Sequence, residues 1–140
     1  MKLKHKIIFM GLYSCIFMKC SIAATEFGIN YKNQRGSTMT LILHYDSKKT
    51  GTLTGNFTTA VGNCKEDIGK PMPLSGYFNG NAISFVINFP HCKQVIAVIG
   101  NFIHDQSKIE TLWLDANQIN DPNSQNWNSN IIGSDHYERM

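Results

Sequence analysis

Two short polar runs stand beside segments that otherwise carry the side chains of a core. Asn33-Gln34-Arg35-Gly36-Ser37 ends the first strand-like stretch, and Gly133-Ser134-Asp135 lies in the last. An amide, a hydroxyl and a carboxylate turned toward an interior each cost a few kcal/mol unless a partner meets them, so the pattern points to a cup whose floor holds a polar ligand. That chemistry is recognition by hydrogen bonds. Turnover has no support, because the chain carries no Gly-rich phosphate loop, HExxH, nucleophile elbow or metal-ligand cluster. Asp135 and His136 are neighbours on a strand and point to opposite faces, so they cannot act as a catalytic pair. His44, His91 and His104 are scattered and read as surface or loop residues. The expectation is a protein without catalytic residues, cofactor or metal.

These groups must be positioned by the chain that follows a removable leader. Lys2, Lys4 and Lys6 precede a mainly apolar run from Ile7 to Met18, and Ser21-Ile22-Ala23 has the small residues of a signal-peptidase site. Residues 1–24 are therefore read as a secretory signal peptide, cut after Ala23 or Ala24, with residues 25–140 as one domain secreted to an extracellular or periplasmic space. The run is short for a membrane span and Lys19 interrupts it. Of 13 Lys and Arg, four leave with the leader, whereas all 10 Asp and Glu remain, so the mature balance is 9 against 10, or −1. No basic face is left to attract nucleic acid.

Cys15 and Cys20 also leave. Cys64 and Cys92 then meet an oxidising compartment, where two thiols become a disulfide unless each is separately buried. Two distant sulfurs with only His91 beside them do not make a zinc site.

Along the mature chain apolar residues alternate, and turn signals recur about every ten residues. Eight strands are expected, at residues 28–32, 38–45, 52–59, 74–79, 82–89, 95–104, 109–116 and 130–137. Residues 46–51, Asn79-Gly80-Asn81 and Asp105-Gln106-Ser107 have hairpin chemistry, and no stretch is long and periodic enough for the helix that a parallel crossover needs. The economical fold is all-β: an eight-stranded antiparallel up-and-down β-barrel with a mouth for one small ligand.

Seven groups of residues in order then carry a resemblance. They are Asn33-x-x-Gly36-Ser37-x-Met39-Thr40, Gly55-x-Phe57-x-Thr59-Ala60, Pro73-Leu74-Ser75-Gly76, the strand from Ile83 to Phe89, Thr111-Leu112-Trp113-Leu114, Trp127, and Gly133-x-Asp135. From about Gly28 to Tyr137 the chain resembles the avidins. The resemblance implies a biotin-binding barrel in which Asn33 and Ser37 donate to the ureido oxygen while Thr59 and Asp135 accept from the two ureido N–H groups. It implies walls made by Phe89, Gln94, Ile96, Val98 and Trp113, with Trp127 reaching over from a neighbouring subunit.

The chain departs from the family at several of these positions. Phe57 stands where a Tyr hydroxyl would be a third donor to the ureido oxygen. Phe89 and Val98 replace larger aromatics, Ile96 replaces a Thr that meets the biotin sulfur, and Tyr31 replaces a Trp below the ligand. Together these losses remove roughly 3 to 8 kcal/mol of binding energy from a family that the strongest binders take close to the non-covalent ceiling. Cys64 and Cys92 match loops that a disulfide joins beside the mouth in dimeric bacterial avidins, whereas Trp127 matches a residue donated across a tetramer interface. The resemblance thus implies a homo-oligomer, dimer or tetramer. Two other readings compete: a protein-binding or inhibitor scaffold presenting Lys65 to Met72, and a carrier of an apolar ligand walled by Phe89, Ile96 and Val98. Asp135 argues against the carrier, since an apolar ligand would leave it unpaired.

Overall fold

The computed structural model describes residues 28–121, 123 and 130–140. They form eight strands: β1 (Ile29–Asn33), β2 (Thr38–Tyr45), β3 (Thr50–Thr58), β4 (Pro71–Asn79), β5 (Ala82–Phe89), β6 (Gln94–Ile103), β7 (Lys108–Asn117) and β8 (Asn130–Arg139). Each strand pairs antiparallel with the next, and β1 pairs with β8, which closes an up-and-down barrel. The expected fold is the one observed. Closure leaves no strand edge to template aggregation.

Strand bounds differ from expectation most at β4, which starts at Pro71 instead of Leu74. A proline lacks the N–H a ladder needs, which argues against a strand. Here Pro71 and Pro73 are paired only on the β3 side, with Thr58 and Asn56, because pairing with β5 begins at Leu74. The segment is edge-like, where proline is tolerated.

One end of the barrel is filled. Tyr31, Met39, Leu41, Leu53, Phe78, Ile83, Phe85, Phe102 and Ile109 are buried there, near the short β2–β3, β4–β5 and β6–β7 turns. The β3–β4 and β5–β6 connections lie at the other end, where the first, longer one brings Val61, Cys64 and Asp67 and the second Cys92 to the cavity. Depth can be read from register. Along β8 the residues Tyr137, Asp135, Gly133 and Ile131 face Ile109, Thr111, Trp113 and Asp115 of β7, a ladder that climbs from the packed end to the mouth. Asn33 pairs with Tyr137, so the β1–β2 turn delivers its polar side chains at the floor.

Candidate functional site

The β1–β2 turn is built by its own side chains. Asn33 Oδ1 accepts the backbone N–H of Arg35 at 3.0 Å and of Ser37 at 2.8 Å, and Gly36 takes φ 91°, a conformation that Gly adopts without a Cβ penalty. The local turn bonding and an inward-facing role are compatible in this geometry. With the carbonyl oxygen occupied, the Asn33 Nδ2–H groups remain to donate. Ser37 Oγ accepts from Ala60 N–H at 3.0 Å, so the hydroxyl proton is left to donate elsewhere. Both side chains are buried.

Beside this turn, the Thr59 hydroxyl donates to Val61 O at 2.6 Å and accepts from Val61 N–H at 3.4 Å, which leaves one lone pair to present. Asp135 Oδ1 accepts from Gln34 Nε2 at 2.8 Å and lies 3.7 Å from Arg35 Nε. Gln34 Oε1 accepts from His136 N–H at 3.1 Å, which clamps the first turn to β8.

These groups open on one cavity of about 630 Å³, which is also lined by Phe57, Phe89, Gln94, Ile96, Val98 and Trp113. Every ligand-contact residue expected from the sequence lines it except Trp127, which lies outside the described residues, as does the expected signal peptide. Phe57 and Phe89 meet edge to face, their centroids 6.2 Å apart. The Trp113 indole lies over Gly133, where an added Cβ would fall 2.2 Å from Cζ2.

The mouth is pinned by a Cys64–Cys92 disulfide with Cα atoms 5.8 Å apart. The sulfurs are thereby unavailable to a metal, although Asp67 stands close to them.

The family's sequence profile decides what barrel this is: the Avidin family matches residues 21–140. The chain belongs to the avidin family. Solved avidin-like structures agree with the fold. Core-bradavidin is 24% identical, with a TM-score of 0.66 over 81% of this chain and 100% of that one. A bradavidin2–biotin complex is 23% identical, with a TM-score of 0.61 over 80% and 95%. A biotin-binding protein from chicken is 20% identical, with a TM-score of 0.66 over 79% and 93%. A comparison with curated proteins returned no significant match.

Four ionisable residues that line the cavity of this avidin barrel escaped the sequence reading. Tyr137 is buried beside Asn33; burial and the nearby Asp135 carboxylate push its pKa well above the usual phenol value, against the opposing influence of the Asn33 side chain and Arg35. Arg35 lines the cavity as the ionic partner of Asp135. Asp67, 1% exposed, accepts from Cys92 N–H at 3.2 Å and pairs with His91 Nδ1 at 2.6 Å, so His91 is more than a bystander in its loop. Asp115 is 5% exposed and its Oδ2 accepts from Gln94 Nε2. Parity was the available signal for Tyr137 and Asp115: they stand two residues from Asp135 and Trp113, on the same faces of their strands.

Proposed function

We propose that this protein is secreted and binds biotin, one molecule per barrel, as part of a homo-oligomer. The observation that carries the reading is the convergence of Asn33, Ser37, Thr59 and Asp135 on the deep part of one cavity that Phe89, Val98 and Trp113 wall with apolar surface. Donors and acceptors are segregated as a cyclic urea requires. Asn33 Nδ2–H and the Ser37 hydroxyl point a positive edge at the ureido oxygen, while Thr59 Oγ1 and Asp135 offer lone pairs to its two N–H groups. The Tyr137 hydroxyl, beside Asn33 on the cavity lining, has a proton to give and stands in for the hydroxyl that Phe57 lacks. Trp113 and Phe89 then cover the bicyclic ring. Family membership supports the ligand, as do relatives whose structures contain biotin.

Two features weigh against the competing readings. A carrier of apolar ligands would leave the buried Asn33 and Ser37 donors unanswered. A scaffold displaying Lys65 to Met72 gains nothing from burying Asp67 in the middle of that loop and tying it to His91 and Cys92.

The outer wall supports association. Ile99, Leu112, Leu114 and Ile132 are half or more exposed, and register places Ile99 beside Leu112 and Leu114 beside Ile132 on adjacent strands. A contiguous apolar face of this kind is covered in soluble proteins by a partner, here a second copy of the chain. Sedimentation of the mature protein is expected to show a dimer or larger species.

Retention on immobilised biotin tests the ligand. The folded mature protein should be retained, and Asp135→Ala should be lost in the flow-through. A folded wild-type protein that is not retained would overturn the reading.

A further inference from the structure

The polar groups at the floor answer a ureido ring, but a charged residue higher in the cavity has no counterpart in that scheme. We propose that Asp115 makes the mouth end of the site select biotin whose valeryl chain ends in an amide over biotin as the free carboxylate. This rests on the biotin reading above and specifies which form of the ligand is taken.

Register places Asp115 near the mouth. Thr111 faces Asp135 at the depth of the ureido cradle, and Asp115 lies four residues further along β7, on the order of 13 Å at strand rise. A ligand with its ring at the cradle therefore brings the end of its chain toward Asp115 and its neighbour Gln94.

The charge there is uncompensated. Among the described residues lining the cavity, Asp67, Asp115 and Asp135 are set against Arg35 alone. Arg35 is taken up by Asp135, and Asp67 by His91 and the Cys92 N–H. Asp115 pairs across the sheet with Ile96 and Ile131 and, among the described residues, has only the neutral Gln94 amide on Oδ2 and no partner on Oδ1. A second carboxylate brought into this walled space meets like charge at low dielectric.

The unpartnered atoms also match an amide. Among the described residues Trp113 Nε1, two residues away on the same face, is a buried donor without a partner, as Asp115 Oδ1 is a buried acceptor without one. An amide carries one acceptor and one donor, whereas a carboxylate carries acceptors only. Amide-linked biotin thus answers both atoms and adds no charge.

The test compares free biotin with its primary amide on the folded mature protein at neutral pH. The wild type should bind the amide roughly tenfold or more tightly. Asp115→Asn and Asp115→Leu should bring the ratio close to one, chiefly by tightening free biotin. A wild-type ratio near one, or a preference untouched by either variant, overturns the proposal and leaves biotin binding intact. If the folded wild type takes neither ligand, the biotin reading falls and the proposal with it. The wild-type ratio decides even if a variant does not fold. A peptide carrying biotinyl-lysine distinguishes the source: binding equal to the primary amide points to protein-bound biotin, and binding of the primary amide alone to a small conjugate, both in support.

Discussion

Tyr137 stands across from Asn33 in the β1–β8 pairing, and both side chains line the floor of the cavity. The phenol that Phe57 lacks on β3 is thus present on β8. Tyr137→Phe should weaken biotin binding by about 1 to 2 kcal/mol with little change in folding. Phe57→Tyr adds a donor where one already serves, so it should tighten biotin less in the wild type than in Tyr137→Phe. Equal gains in both backgrounds would mean that Tyr137 does not act on the ligand.

Gly133 and Trp113 form the second coupled pair. A methyl group at position 133 would fall 2.2 Å from the indole, so Gly133→Ala must push Trp113 off the wall it forms. The variant should bind biotin more weakly by about 1 to 3 kcal/mol and show a smaller change of tryptophan fluorescence on ligand addition. Unchanged binding would take Trp113 out of the site.

The loop over the mouth is held twice, by the Cys64–Cys92 bridge and by Asp67. Closing a loop of 28 residues is worth about 3.5 kcal/mol, so reduction should lower the melting temperature. Asp67→Ala should cost about 1 to 3 kcal/mol by stranding the Cys92 N–H and His91, and should speed proteolysis between β3 and β4. Free thiols in the oxidised, denatured protein would contradict the first expectation, and unaltered cleavage the second.

Alkaline stability follows from Tyr31. Burial pushes its pKa up to about 12, against the opposing pull of Arg139, and its hydroxyl donates to Gln106 O at 2.8 Å. The unfolded chain loses this proton near pH 10 while the folded one keeps it, so the contribution is whole below pH 10 and is lost as pH rises toward 12. Urea midpoints should fall across that window, and less steeply in Tyr31→Phe. Equal slopes in the two proteins would contradict the assignment.

Much of this was legible in the chain because strands announce themselves by alternation. Met39, Leu41 and Leu53, or Phe85, Ile87 and Phe89, face one way by period alone, and the turns between them carry Gly, Asn and Asp. Asn33, Ser37 and Asp135 stood out as polar residues beside such runs. Asp115 and Asp67 did not, because a carboxylate in a strand or loop ordinarily faces water, and their burial arises from Gln94 and His91, which are distant in sequence. Tyr137 was hidden for another reason: its ring fits a core, and only the pairing with Asn33 shows that its hydroxyl is at the floor.

Calorimetric titration of the mature protein with biotin tests the central claim most directly. We predict saturable, exothermic binding of one biotin per chain, with the heat sharply reduced in Asp135→Ala. A folded barrel that gives no heat with biotin or its amide, and whose melting temperature neither ligand raises, would contradict it.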